Sequence, residues 1–375
     1  MGGEKTLRPT YAKIDTAKLR TNLRKIKAVL PEQCTVTAVV KANAYGHGSV
    51  VVGRIAAEEG YNALAVAFPE EATPLRDCGI MTPIYLLGLS LPETFDLIIE
   101  NDCIPAVSST TDFQALEECA SRHSAMMSCC IAVDTGMHRI GIAPEEAMKM
   151  VARIESYAHL RVNGFFSHLA NADAVDLTHA RRQTERFCTM MKEIRSQRNV
   201  NYRFSLANSA ALLVLPNAFF TDVRPGIIQY GIMPSPNVPN ILGLQPVLSL
   251  HSTVVQTQRL ATGESVGYGS SYAVTRPVTL ATLPVGYADG YPRSLSNCGE
   301  VLIHGYRCPV VGRVCMDQTI VALPENVDAT PGDEVVLIGT QDKETITAYE
   351  LAALAGTIPY EILSGISARV PRIYV

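Results

Sequence analysis

Between residues 35 and 226 the sequence alternates short apolar runs with longer amphipathic stretches, and it does so eight times. The runs are TVTAVV (35–40), ALAVAF (63–68), PIYLLG (83–88), IPAVSS (104–109), CCIAVD (129–134), VNGFFSH (162–168), RFSLAN (203–208) and TDVRPG (221–226). Near-continuous apolar runs suit strands buried on both faces, and parallel strands need crossovers long enough to hold a helix. Eight such units predict an α/β chain with a closed (β/α)8 barrel of the TIM type, an open doubly wound sheet being the alternative. Ahead of them, DTAKLRTNLRKIKAVL (15–30) sets Leu19, Leu23, Ile26 and Leu30 on one helical face behind an Asp/Thr cap, and Pro31 stops it.

Past residue 240 the texture changes. A proline-rich connection, PSPNVPNILGLQP, leads into LSLHSTVVQTQRL, VTLATLPVGYA, VLIHGYRCPVVGRV and DEVVLIG, alternating runs broken by Gly, Pro and Asp. These predict a mostly β C-terminal domain, closed by a short helix, TAYELAALAG, and the tail ILSGISARVPRIYV. The expected domains are therefore 1–240, the barrel, and 241–375, with the first ten or so residues open to packing with the second. Neither a fixed-period repeat nor a low-complexity tract interrupts this order.

With 32 basic against 36 acidic residues the net charge is −4, and no basic stripe invites nucleic acid or an acidic membrane. The ten cysteines are scattered, with no CxxC pair and one adjacent pair, Cys129-Cys130, so reduced thiols in a cytoplasmic protein are expected rather than a disulfide framework or a metal site. The opening MGGEKTLRPTYAKID lacks the apolar core of a signal peptide, and no run approaches a membrane span. Met1-Gly2 with Thr6 matches the loose myristoylation pattern, one short enough to recur by chance.

In a barrel the chemistry gathers where the C-terminal ends of the strands meet. Lys41 ends the first run; Asp134, His138 and Arg139 follow the fifth; His168 ends the sixth; Asn208 and Ser209 end the seventh; Arg224 and Gly226 end the eighth. Singly, each has a bland reading as a solvated lysine, a hydrogen-bonded structural histidine or a surface ion pair. Together, two His and two Arg at the mouth that holds a lysine point to a site. AYGHG is neither a Walker A loop nor a dinucleotide fingerprint. The ends of the last two runs, LANSA and VRPGI, fall where barrels bind phosphate through backbone N–H groups. A phosphate there and a lysine across the mouth suggest pyridoxal 5'-phosphate, whose aldehyde a lysine captures.

AVVKANAYGHG, VDTGMHRIG, FSHLANAD, LANSAA, RPGIIQYG, GYGSSY, VGYADGYPR, GRVCMDQ and TIPYEILSGISARVPRIY, in this order and spanning nearly the whole chain, resemble the alanine racemases, as does the opening RPTYAKID. The resemblance implies a pyridoxal-phosphate barrel followed by a β domain, and interconversion of L- and D-alanine, the latter for bacterial peptidoglycan. It implies that Lys41 holds the cofactor and is one acid/base group. Tyr268, donated by the partner chain of a homodimer, is the other. Two bases suit racemisation, because the proton leaves one face of a planar carbanion and returns to the opposite one. Both groups start near pKa 10, so the site must favour their deprotonated forms, which neighbouring cations can do.

By the same resemblance Tyr45, Ser209, Gly226, Ile227 and Tyr360 hold the phosphate with Asn208 nearby, and His168 packs on the pyridine ring. Arg224 faces the pyridine nitrogen, which a group that only donates keeps unprotonated. Arg139 and the Met316 N–H bind the substrate carboxylate, and Tyr287 and Tyr360 narrow the entrance. No metal is implied. Two positions depart from the family. Ala132 stands where members often carry a carbamylated lysine that positions the arginine, and His138 replaces the usual glycine before Arg139. The rival readings are a racemase of another small amino acid such as serine, a non-catalytic pyridoxal-phosphate barrel, and an amino-acid decarboxylase. The second conflicts with the C-terminal domain and its tyrosine, the third with Tyr268 and Arg224.

Overall fold

A computed structural model describes residues 8–375. Residues 1–7 lie outside it, and with them fall the Met1-Gly2-Thr6 pattern and most of the first ten residues. Two compact units are present. One holds the described residues up to Lys18 together with Tyr45–His47 and Pro246–Val375; the other holds Leu19–Ala44 and Gly48–Gln245.

The first strand, β1 (Tyr11–Ile14), belongs to the former unit. In the latter, eight parallel strands close into a barrel: β2 (Thr35–Val39), β3 (Ala63–Val66), β4 (Ile84–Leu89), β5 (Cys103–Val107), β6 (Met127–Ala132), β7 (Leu160–Phe166), β8 (Arg203–Ser205) and β9 (Asp222–Val223). Each coincides with one of the eight runs, and the pairing of Thr35 with Asp222 joins β2 to β9, so the sheet has no open edge. β3 is buried at all four positions, as a strand between a filled interior and a helical layer must be. The last two strands are shorter than their runs. RFSLAN pairs only through Ser205 and TDVRPG only through Val223, after which the chain leaves the ladder.

The first helix, Thr16–Ala28, buries Leu19, Leu23 and Ile26, and Asp15 accepts the N–H of Lys18 at its start. Leu30 falls outside it, half-buried, because the proline at 31 disfavours helical backbone in the residue before it. Asn22 takes a place on the buried face instead, donating to the carbonyls of Gln229 (3.1 Å) and Gln245 (2.8 Å).

The C-terminal unit continues with β10 (Leu248–Thr253), β11 (Gln256–Leu260), β12 (Ser265–Val266), β13 (Tyr272–Ala273), β14 (Val278–Leu283), β15 (Glu300–Ile303), β16 (Tyr306–Pro309), β17 (Thr319–Leu323), β18 (Glu334–Gln341), β19 (Glu344–Ile346) and β20 (Arg372–Tyr374). Seven strands form one sheet in the order β16-β15-β18-β10-β1-β20, with β19 on β18; β11-β14-β17 form a second, and β12-β13 a hairpin. The run LSLHSTVVQTQRL is thus two strands in different sheets, parted at Val254 and Val255, whose N–H groups bond to Asp333 and Thr282 respectively. Helix Ala348–Ala355 starts on the Thr347 side chain, which accepts the N–H of Glu350. Among the described residues no helix is long and apolar enough to cross a membrane. All ten cysteines are free.

Candidate active site

Lys41 stands at the end of β2 and opens an unusual turn. Ala42, Asn43, Ala44 and Tyr45 all have φ between +51 and +54°, a left-handed turn built without glycine. Each such residue costs about 1–2 kcal/mol, so the turn persists only because its surroundings fix it. Asn43, a residue that tolerates this region, accepts the Ser49 N–H on its side chain and the Gly48 N–H on its carbonyl, each at 2.9 Å. Glu71 accepts the Ala42 N–H at 2.6 Å and, through its other oxygen, the Ala67 N–H at 2.7 Å, pinning the exits of β2 and β3 together.

Burial lowers the pKa of the Lys41 ammonium, Arg139 and Arg224 lower it further, and Glu71 opposes them. His168, just past β7, is driven down to about 3 by burial and by Arg224, Arg139 and Lys41, so its imidazole is neutral at any physiological pH. Its backbone is framed by buried Gln183 of helix Thr178–Gln197, which donates to the His168 carbonyl and accepts the Ala170 N–H, both at 3.0 Å.

Arg224 is buried, and its guanidinium donates to Ser205 Oγ and to the Ser167 carbonyl, both at 2.5 Å. Ser205 in turn donates to the Asp222 carboxylate at 2.5 Å. That carboxylate, wholly buried, also accepts Thr37 (2.9 Å) and Thr35 (3.0 Å) and pairs with Arg203 at 2.5 Å. Burial lowers Arg224 to about 10 while Asp222 holds it up, and Arg203 lies 3.8 Å over the Tyr85 ring. A chain of polar groups therefore runs beneath Arg224 through the interior of the barrel. Beside it, Asn208 caps helix Ser209–Val214 by accepting the Ala211 N–H, and Ser209 Oγ accepts the Gly226 N–H at 2.8 Å. That contact brings Ser209, Gly226 and Ile227 to one place, where β8 and β9 end.

Arg139 is exposed on the loop after β6, and the buried Ala132 methyl lies two residues before Asp134. The loop is shaped by Asp134, whose Oδ1 accepts the N–H groups of Gly136, Met137 and His138 at 2.9–3.0 Å while Oδ2 meets His138 Nδ1 at 2.9 Å. Partial burial raises this carboxyl, but the N–H groups of His138 and Gly136 and the imidazole outweigh it and hold it below the ordinary value. His138 has φ +57°, which is why a glycine would be at ease there. Its side chain is 81% exposed and reaches no further than Asp134.

The other expected residues lie in the C-terminal unit. The rings of Tyr45 and Tyr360 are 5.9 Å apart and tilted by 51°. Tyr287 and Met316 are brought together by two backbone bonds of 3.0 Å, Tyr287 N–H to the Cys315 carbonyl and Ala288 N–H to the Met316 carbonyl. Gly286 permits this approach, since a Cβ there would sit 2.3 Å from the Cys315 oxygen. Tyr268 is 71% exposed, on the turn Tyr268–Ser270 between β12 and β13. Glu71, Ser205, Arg203 and Asp222 escaped the sequence reading. The available signal was a charge inside each of two short apolar runs, Arg203 and Asp222.

Residues 14–234 match the family profile "Alanine racemase, N-terminal domain" and residues 247–374 "Alanine racemase, C-terminal domain". An alanine racemase of Carboxydothermus hydrogenoformans is 42% identical over 371 residues, covering 98% of this chain and all of that one. The solved alanine racemase of Clostridium difficile 630 superposes with a TM-score of 0.93 at 36% identity, over 99% of this chain and 97% of that one. That of Bartonella henselae, described with covalently bound pyridoxal phosphate, gives 0.86 at 29% identity over 98% and 99%. With both halves of the chain matched in order, and with an eight-stranded barrel followed by a β unit, the chain belongs to the alanine racemases, an isomerase family.

Proposed function

We propose that the protein interconverts L- and D-alanine with pyridoxal 5'-phosphate as cofactor, using Lys41 and Tyr268 as opposed acid/base groups in sites shared by two copies of the chain. The reading rests above all on Lys41, an amine held at a barrel mouth where burial and two guanidiniums favour its unprotonated form. Only that form is a nucleophile and a base.

The donors present fit the cofactor. Lys41 Nζ is the group to hold its aldehyde carbon. Ser209, Gly226 and Ile227, with Asn208, Tyr45 and Tyr360, are the groups to hold its phosphate, and the Ser209–Gly226 contact supports the first two as one cradle. Neutral His168 suits packing against an aromatic ring. Arg224 offers donors only and so suits a pyridine nitrogen that stays an acceptor. When bound, pyridoxal phosphate supplies an electron sink that acidifies the α-hydrogen of an amino acid.

The remaining work falls to the chain. Lys41 Nζ exchanges a proton on one face of the substrate α-carbon and Tyr268 Oη on the other. The exposure of Tyr268 supports a phenol offered to a second copy rather than one buried for packing. Arg139 and the Met316 N–H hold the carboxylate, the former with the fork geometry arginine suits. Tyr287 and Tyr360 limit the side chain to about a methyl, and the D-alanine formed would serve peptidoglycan. The purified protein should show the visible absorbance of a lysine-bound cofactor and turn over L-alanine in a chiral assay, and Lys41→Ala should lose both. Greater turnover efficiency with L-serine would overturn the substrate, and a colour retained in Lys41→Ala would overturn the lysine.

A further inference from the structure

A second cluster of reactive side chains lies on the barrel's helical layer, among residues with no part in the site above. Helix Phe95–Glu100 follows β4 and helix Phe113–Arg122 follows β5. Cys119 and His123, four residues apart, share one face of the second helix and its cap, and both turn to Asp96 in the first turn of the other. Cys119 Sγ lies 3.4 Å and His123 Nε2 2.7 Å from Asp96 Oδ1, and the three donor atoms all lie within 4.8 Å of one another.

We propose that Asp96, Cys119 and His123 form a site for a zinc-like divalent cation that clips these two helices together, its fourth position open to water. Thiolate, imidazole and carboxylate form the mixed donor set that zinc accepts. Zinc bonds of ~2.3 Å to sulfur and ~2.0–2.2 Å to nitrogen and oxygen place tetrahedral donors about 3.3–3.6 Å apart. The sulfur–oxygen separation is already in that range, and the nitrogen–oxygen one needs to widen by well under an ångström. Arg122 lies 3.0 Å from Oδ1 and 3.3 Å from Oδ2, so it can keep Oδ2 while the metal takes Oδ1. Burial and Asp96 hold the thiol near a pKa of about 11. Metal binding therefore exchanges an S–H bond for an S–metal bond and releases the proton to solvent.

The test uses full-length holoenzyme, washed with chelator and kept reduced with a phosphine, and its Cys119→Ser, His123→Gln and Arg122→Ala variants. Cobalt(II) titration should give a sulfur-to-cobalt charge-transfer band in the parent and none in Cys119→Ser. Zinc should raise the melting temperature of the parent, and half-saturation in His123→Gln should need at least about a hundredfold more metal, since even partners one shell further out are worth about 10- to 100-fold. Arg122→Ala, which removes a competing cation, should bind more tightly. His123 is exposed, so His123→Gln gives the answer even if Cys119→Ser folds poorly. A cobalt band of equal size in Cys119→Ser, or metal affinity unchanged in His123→Gln, would overturn the site and leave the cluster a hydrogen-bonded helix contact.

Discussion

Asp222→Asn is the substitution that most directly tests how the barrel carries Arg224. The carboxylate is wholly buried and accepts four side chains, Thr35, Thr37 and Arg203 on Oδ1 and Ser205 on Oδ2. An asparagine can retain most of this pattern. Its carbonyl oxygen replaces Oδ1, and its NH₂ faces Ser205, whose hydroxyl can turn to the Asp222 backbone carbonyl 3.3 Å away while still accepting Arg224. What disappears is the charge. Two guanidiniums, Arg203 with a side chain 15% exposed and Arg224 at 6%, then lie buried without their anion, and Arg203 lowers the pKa of Arg224 with nothing to oppose it from Asp222. Removing one partner of a buried ion pair costs about 3–5 kcal/mol. At roughly 2–4 °C per kcal/mol for a unit of this size, the barrel should melt about 6–20 °C lower.

The measurement is a thermal melt of the holoprotein followed by circular dichroism, with Ser205→Ala beside it. That variant cuts the bridge between Asp222 and Arg224 but keeps all three charges, so its cost should stay within the ~1–3 kcal/mol of an unsatisfied buried group. A melting temperature for Asp222→Asn within about 2 °C of the parent would show that the carboxylate does not compensate the two guanidiniums. Equal losses in both variants would refute the claim that charge, rather than hydrogen bonding, dominates.

Three further outcomes follow from the site. Tyr268→Phe should keep the cofactor's colour and lose at least about a hundredfold in racemisation, the lower end of what one acid/base group contributes; full activity would exclude it as a base. His168, held at about 3 in the fold against ~6.5 in the unfolded chain, makes the unfolded state the stronger proton binder between those values. Its contribution is complete above pH 6.5 and is lost on acidification, by about 2 kcal/mol at pH 5. Melting temperatures of the parent should therefore fall more steeply from pH 7.5 to 5 than those of His168→Gln, and parallel curves would contradict the depressed value. His138→Gly relieves a left-handed residue worth about 1–2 kcal/mol, at the expense of backbone freedom and an exposed pair with Asp134 worth under ~1 kcal/mol. The net change should stay below about 1 kcal/mol with turnover retained, and a large loss would make the imidazole, not the Asp134 carboxylate, the support of the Arg139 loop.

What the sequence disclosed and what it hid divide along one physical line. The eight barrel strands were legible because burial on both faces forces a local composition, and the placement of Lys41, His168, Ser209 and Arg224 at the strand ends because barrel geometry gathers whatever follows those strands. Asp222 and Glu71 were not, since each acts through a neighbour fixed by topology. Glu71 reaches the exit of β2 only because β2 and β3 are adjacent, and Asp222 meets Thr35 and Thr37 only because the barrel closes. The closing strand shows why such a residue is needed. β9 keeps only two residues in the ladder before the chain departs through Arg224 to Gly226, whose N–H bonds to Ser209. Its backbone pairing is correspondingly sparse, one register pair to β8 and two to β2. Asp222 adds side-chain bonds to both flanking strands, to Thr35 and Thr37 on one and to Arg203 and Ser205 on the other. A two-residue strand is thus held in place by a buried carboxylate, and the same carboxylate supplies the counter-charge for the buried arginine that follows it.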